Sequence, residues 1–394
     1  MMSRLPAPDV DAAEHSARLA ALIAGEIAAH GPLPFAQFMA LALYAPGLGY
    51  YSAGSRKFGA GGDFVTAPEL GPAFAYAVAR HLSVAMAGLD DWDLVEPGGG
   101  SGVLAADLLL ALEALGRLPR RYRLLEISAD LRQRQRDTLQ ARCPHLLARV
   151  DWLDGPPDTP WQGALVANEV LDALPATRFA VQEDGLYEQY VDGDAGVFAW
   201  RELPAPPVLD ALLRERLADV LPLLPRPYRS ELHPTLAPWL AAMAQALTRG
   251  ELLFVDYGYP RREFYLPERR DGTLVCHYRH HAHDDPLILP GLQDITAFVD
   301  FTALAEAAAA CGLDVAGYTS QAQFLIGNGI EDWFAHSQAL PLPERMAAAN
   351  AVKRLMLPGQ MGERFQVMAL ARGLDGSALP GFQADLRHRL LARP

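Results

Sequence analysis

Residues 94–107 of the 394-residue chain read Leu-Val-Glu-Pro-Gly-Gly-Gly-Ser-Gly-Val-Leu-Ala-Ala-Asp, and no other stretch restricts the fold as tightly. Leu94 and Val95 close a short apolar run suited to a buried parallel strand. Gly98, Gly100 and Gly102 then fall at alternate positions, and from Val103 an apolar, helix-forming stretch runs to Leu115. A strand, a glycine-rich turn and a helix make the first crossover of a nucleotide-type α/β domain. Glycine permits positive φ and close approach of the backbone to a ligand. The helix start adds unpaired N–H groups.

The spacing narrows the ligand. A dinucleotide fingerprint starting at Gly98 needs its third glycine at position 103, which is Val103. A P-loop needs Gly-Lys-Ser/Thr, and the turn has no lysine. Acid-x-Gly-x-Gly-x-Gly, led by Glu96, instead resembles motif I of class I S-adenosylmethionine-dependent methyltransferases. That ligand carries a carboxylate, an amine, a sulfonium and a ribose but no phosphate, so it needs no cationic clamp. The alternative is a glycine turn without a ligand. Tyr122–Glu126 reads as the next strand, with Glu126 at its carboxyl end. An acid about 20 residues beyond such glycines is where α/β folds hold a ribose diol; a solvated strand-end glutamate is the plainer reading.

A hydrophobic content of 51% in a chain of this length is enough to bury one large core or two ordinary ones. The net charge of −13 argues against a nucleic-acid partner and suits a basic protein segment. Cys143, Cys276 and Cys311 form an odd, widely spaced set, which fits a reducing compartment without disulfides. No segment reads as membrane-inserted. Asp9, Asp11 and Glu14 precede the apolar stretch Leu19–Gly25, so it reads as an amphipathic helix rather than a signal or transit peptide, and the expected location is cytoplasmic.

The pattern predicts an N-terminal helical extension with a glycine- and aromatic-rich loop (1–88), a nucleotide-type core (89–202) and a Leu/Ala/Pro-rich helical insertion (203–250). The rest of the core follows (251–372) with a lid or acceptor loop at 257–300, and then a tail (373–394). Within it, helices are expected at 12–30, 34–44, 70–87, 301–311 and 331–354. Strands are expected at 148–150, 163–167, 252–255, 315–318 and 365–371.

Four further motifs occur in order: Gly62-Asp63-Phe64-Val65-Thr66-Ala67-Pro68-Glu69, Ala167-Asn168-Glu169-Val170-Leu171-Asp172-Ala173-Leu174-Pro175, Asp256-Tyr257-Gly258-Tyr259 and Gly291-Leu292-Gln293-Asp294-Ile295-Thr296-Ala297. With Glu96–Gly102 they resemble the MidA family of methyltransferases from about residue 31 to 372. The resemblance implies a Rossmann-like seven-stranded sheet with an N-terminal helical extension and an inserted lid. It implies S-adenosyl-L-methionine as cofactor and a protein arginine as acceptor, symmetrically dimethylated. In the family's mitochondrial matrix members the acceptor is a respiratory complex I subunit. Pro97 departs from the family's usual aliphatic residue and leaves the glycines untouched.

A guanidinium is held and oriented by carboxylates bonded to two of its nitrogens. Glu169 is the residue expected to do this, with Asn168 beside it and Asp172 as its partner or a local helix cap. Standing alone, Asn-Glu-x-x-Asp also fits a capped helix start. Asp63, Thr66 and Glu69 are expected to close over the cofactor or to cap a turn. Trp152 is expected against the adenine or in the core. Tyr257 and Tyr259 line the acceptor channel or pack the loop. Cys276, His277, His280, His281 and His283 match no zinc spacing, and sulfonium transfer needs no metal. Besides arginine methylation, a small-molecule methyltransferase and an assembly chaperone with a retained cofactor site fit the same motifs.

Overall fold

Asp93–Pro97 is buried along its whole length, as a strand covered on both faces and paired on both sides must be. In this computed structural model, which describes residues 5–53, 66–194, 196–374 and 379–390, it is an interior strand of the main sheet. Numbered in chain order, the core strands are β1 (Asp93–Pro97), β2 (Arg121–Leu125), β3 (Val150–Leu153), β4 (Trp161–Asn168), β5 (Leu247–Tyr259), β6 (Asp314–Ser320) and β7 (Phe365–Arg372). They lie side by side in the order β3-β2-β1-β4-β5-β7-β6. The first five are parallel, and β7 runs antiparallel to both its neighbours. The expected seven-stranded α/β sheet is therefore present, and a two-residue strand, Val299–Asp300, pairs with the end of β5. Strand order reverses between β1 and β4, which opens a crevice beyond their carboxyl ends.

Helices α1 (Val10–His30) and α2 (Phe35–Tyr44) precede the core, followed by α3 (Ala73–Ala85), α4 (Val103–Ala114) and α5 (Ala129–Arg142). Asp9 accepts the Ala12 amide at 2.9 Å and caps α1, which buries Leu19, Ile23 and Ile27 on one face. α4 is apolar on more than one side because it lies between the sheet and α3, within a cluster that includes Phe74, Val78, Leu82, Leu108 and Leu112. Among the described residues no helix is long and apolar enough to cross a membrane.

The sequence reading departs from the structure between β4 and β5. Thr177–Val181, Leu186–Asp194, Val197–Pro204 and Tyr228–Leu232 form a second, antiparallel sheet with the short strand Leu33–Pro34. The stretch 203–250, read as helical, holds two α-helices, Pro207–Arg216 and Leu236–Ala244, separated by the strand Tyr228–Leu232. Its prolines and leucines hid the strand, because a five-residue run carries little periodicity. This sheet positions the N-terminal extension: Leu33 pairs with Val191 and Pro34 with Tyr190, and α2 follows directly. Val275–Tyr278, His281–His283 and Asp294–Thr296 form a third, three-stranded sheet inside the stretch expected to be a lid or acceptor loop. Among the described residues no three His, Cys, Asp or Glu side chains are arranged to hold a metal ion.

Candidate active site

The turn after β1 is left-handed at Gly98, Gly100 and Gly102, with φ of 67°, 50° and 82°. L side chains are strained in this region. Gly102 opens α4, and a Cβ there would stand 2.9 Å from the Gln135 Cα. Gly99, which the spacing did not single out, is equally constrained: a Cβ would meet the Leu124 side chain at 2.5 Å. The turn is thus packed from behind and open in front, a cradle for a ligand.

Two buried carboxylates flank it. Glu96 accepts from the Tyr122 hydroxyl at 2.5 Å, and burial pushes it up to about 7, with Tyr122 pulling down and Glu126 pushing further up. Glu126, beyond β2, accepts from the Ser128 amide at 2.9 Å and from Gln135 Nε2 at 3.3 Å; burial raises it too. Gln135 also donates to the Gly100 carbonyl at 3.2 Å and accepts from Trp152 Nε1 at 2.9 Å. One side chain therefore ties the glycine turn, the second acid and β3 together.

On the other side of the crevice β4 ends at Asn168, and no helix follows, so the capped-helix reading of Asn168, Glu169 and Asp172 does not hold. Glu169 instead turns the chain with φ of 53°. Its amide donates to the Val255 carbonyl at 3.0 Å, and its carboxylate accepts from Asn168 Nδ2 at 3.1 Å. Burial, then the neighbouring Asp256, pushes Glu169 up to about 8. Asp172 is 2% exposed and is raised by burial, Asp256, Glu169 and Asp294. Burial also pushes Asp256 up to about 7, against backbone amides of Leu171, Tyr257, Val170 and Asp172 that pull it down. Among the described residues Glu169, Asp172 and Asp256 have no ion-pair partner. The Tyr44 hydroxyl donates to the Ala173 carbonyl and the Tyr51 hydroxyl to Asp294, both at 2.8 Å, and the two rings stack 5.6 Å apart.

A cavity of about 320 Å³ joins the two sides. Of the expected residues, Glu96, Gly98, Gly100, Glu126, Asn168, Glu169, Thr66 and Glu69 line it, and Glu69 also accepts from the Ser101 hydroxyl. Gly102 supports it from the helix start, and Asp172 lies behind Glu169. Asp63, with Gly59, Gly61 and Gly62 of its loop, lies outside the described residues. Trp152 is not in the wall. β3 is the edge strand, α5 intervenes, and the Arg136 guanidinium lies 4.5 Å over the indole ring. The apolar side chains at this end are Ile127, 70% exposed at the lip, and Leu131. Tyr257 and Tyr259 pack around Phe298 rather than forming the cavity wall.

Tyr44, Tyr51, Gln135 and the anchoring role of Asp256 are absent from the sequence reading. Gln135 left a signal: Leu131, Gln135 and Leu139 are the buried residues of α5 and fall at i, i+4 and i+8, so a polar residue interrupts an apolar stripe. The tyrosines reach the site through the pairing of the Leu33–Pro34 strand and the packing of α2 and the loop after it, which no local pattern encodes.

A family model described as "Putative S-adenosyl-L-methionine-dependent methyltransferase" matches residues 77–319, more than half of the chain. A solved protein from Burkholderia thailandensis, bound to S-adenosyl-homocysteine, is 44% identical and superposes with a TM-score of 0.90 over 97% of this chain and 98% of its own. Among curated proteins, the mitochondrial protein arginine methyltransferase NDUFAF7 of Danio rerio is 28% identical over 88% of this chain and 85% of its own. Its Homo sapiens counterpart is 28% identical over 88% and 81%.

Proposed function

The chain belongs to the family of S-adenosyl-L-methionine-dependent methyltransferases, and on that premise we propose that it methylates an arginine side chain of a protein. One observation carries the reading. Opposite the glycine cradle the cavity ends on Glu169, backed by Asp172 and Asp256, three carboxylates without an ion-pair partner among the described residues. Buried carboxyls without a counter-ion are pushed toward their protonated form, and a cation bound against them favours their charged form instead. The tyrosines beside them have turned their only protons elsewhere, so the wall accepts hydrogen bonds and donates few. A guanidinium, with five donors and no acceptor, is the complement of such a wall. The names of the mitochondrial relatives support the same acceptor.

The cofactor fits the residues present. Gly98, Gly99 and Gly100 leave room for close backbone approach, Glu126 presents oxygens to a ribose, and Ile127 and Leu131 offer apolar surface to a base. The chemistry supplied there would be an electrophilic methyl group on a sulfonium: as the acceptor nitrogen bonds the methyl carbon, the carbon–sulfur bond would break to leave a neutral thioether, and the nitrogen would shed one proton. Glu169 holds the guanidinium plane so that one nitrogen faces the cradle, and positioning of this kind supplies most of what an in-line transfer needs. A carboxyl held near 8 is also matched to receive the proton that the nitrogen sheds. Stacked Tyr44 and Tyr51 add aromatic surface to the cavity wall, which leaves fewer polar sites for a competing water.

Purified protein, methyl-labelled S-adenosyl-L-methionine and a cell lysate test the proposal. Label should enter protein and appear as methylarginine after acid hydrolysis, with symmetric dimethylarginine as the family's product. Label in small molecules alone would make the protein a small-molecule methyltransferase, and no transfer despite cofactor binding would favour an assembly role. Glu169→Gln should lower turnover by ~100-fold or more, the scale of losing an electrostatic stabiliser, with cofactor affinity nearly unchanged.

A further inference from the structure

Asp256 forms no part of the cavity wall, yet four main-chain amides converge on its carboxylate. Oδ2 accepts from Val170 at 3.1 Å, Leu171 at 2.9 Å and Asp172 at 3.4 Å, and Oδ1 accepts from Tyr257 at 2.9 Å. The first three amides belong to the residues directly after Glu169, a stretch that forms no helix and gives them no partners of its own. Glu169 is one of only four non-glycine residues with positive φ among the described residues, and its own amide is pinned to the Val255 carbonyl. A left-handed glutamate costs about 1 kcal/mol or more and persists only where surrounding contacts over-determine it. Here the contacts come from two consecutive residues of β5: Val255 holds Glu169 itself, and Asp256 holds the three amides after it.

We propose that Asp256 is a positioning residue for methyl transfer, holding the end of β4 in a preformed left-handed corner that aims the Glu169 side chain into the cavity. The assignment rests on the reading of Glu169 as the acceptor-holding carboxylate. Asp256 is 1% exposed and does not line the cavity, so it reaches the site from behind, through the backbone it binds and through its charge beside Glu169. Register reinforces the point: Asn168 pairs with Val255 in the parallel β4–β5 ladder, so the turn at 169 begins where the carboxylate of 256 becomes available. Asp256→Asn keeps the shape but replaces one accepting oxygen with a donor. It also leaves the others a neutral acceptor, which binds amides more weakly than a carboxylate.

The test is a cycle of Glu169→Gln, Asp256→Asn and the double variant, with steady-state kinetics on the methyl acceptor and calorimetric binding of S-adenosyl-homocysteine. Asp256→Asn should lower kcat/KM by ~10-fold or more, as misplacement of a catalytic group does, while S-adenosyl-homocysteine affinity stays within about 2-fold. In the Glu169→Gln background it should cost little more, because its effect runs through that side chain. Full multiplication of the two defects would overturn the proposal, as would unchanged turnover or an equal loss of S-adenosyl-homocysteine binding. If Glu169→Gln retains full turnover, the reading of Glu169 fails and the proposal with it; if Glu169→Gln is inactive and Asp256→Asn is not, only the proposal fails. Should Asp256→Asn not fold, Asp256→Glu keeps the charge but displaces it by a methylene. Loss of hydrogen-exchange protection at residues 170–172 together with activity then supports the proposal, and activity lost with protection intact overturns it.

Discussion

Gln135 donates to the Gly100 carbonyl at 3.2 Å, and that bond joins α5 to the glycine turn across the back of the cofactor cradle. The same amide group serves Glu126 and Trp152, so the cradle's shape and the orientation of its second acid depend on one buried side chain. Neither the turn nor the acid is held by the sheet alone.

Gln135→Leu keeps the side-chain volume and removes every one of these bonds. Each lost bond that strands a buried partner costs about 1–3 kcal/mol. S-adenosyl-homocysteine affinity should therefore fall ~10-fold or more, with a melting temperature lowered but folding intact. Calorimetry returning wild-type affinity would mean the turn holds its shape without α5.

Gly102 and Gly116 bracket α4, and both have positive φ, 82° and 64°. Around Gly116 there is nothing within 4 Å of a built Cβ, whereas at Gly102 the Gln135 backbone stands 2.9 Å away. Gly116→Ala should cost only the backbone strain, about 1 kcal/mol. Gly102→Ala should cost that plus displacement of α5, and should impair cofactor binding besides. Urea unfolding of the two variants checks the ranking, and equal losses would show that α5 shifts freely.

The nucleotide-type half of the molecule was legible because its signals are local: a glycine turn fixed by φ, an acid at a strand end, and apolar strands buried on both faces. Asn168, Glu169 and Asp172 were located by motif, but the helix-start alternative fell only when Glu169 proved to be a left-handed corner held from β5. The second sheet was missed although Asp184-Gly185 sits between alternating runs and closes a hairpin, with the Gln182 amide on the Gly185 carbonyl at 2.9 Å. The wall opposite the glycine cradle was illegible for a different reason. Tyr44, Tyr51 and Asp294 are brought together by pairings across more than 200 residues, and Trp152 was displaced from the cavity by a helix whose position only packing decides.

Glu169 titrates near 8 in the folded protein against 4.5 as its ordinary value, because burial and Asp256 disfavour its charge. The folded state therefore binds a proton that the unfolded chain has released between those values, and this contribution to stability is lost as pH rises from 4.5 to about 8. Glu169→Gln carries no such proton. The variant should lose less stability than wild type between pH 5 and 8, and at pH 8 should exceed it by about 1 kcal/mol or more. Denaturant unfolding at both pH values measures this; parallel losses in the two proteins would place the carboxyl in a more solvated setting. In activity, wild-type kcat/KM for the acceptor should rise with pH and level off near 8.

His81 on α3 and Glu251 on β5 pair at 2.6 Å with neither side chain exposed, packed against Phe324 and Phe382. Among the described residues His81 Nδ1 and Glu251 Oε2 have no further partner, so the pair satisfies itself and little else. Removing one member of such a buried pair strands the other and typically costs about 3–5 kcal/mol, whereas apolar replacement of both is often neutral. His81→Leu alone should destabilise on that scale, and His81→Leu with Glu251→Leu should recover most of the loss. Since neither residue lines the cavity, the double variant should bind S-adenosyl-homocysteine as wild type does. A double variant as unstable as the single one would show that the ring and carboxylate specify how α3 seats on β5, beyond balancing each other's charge.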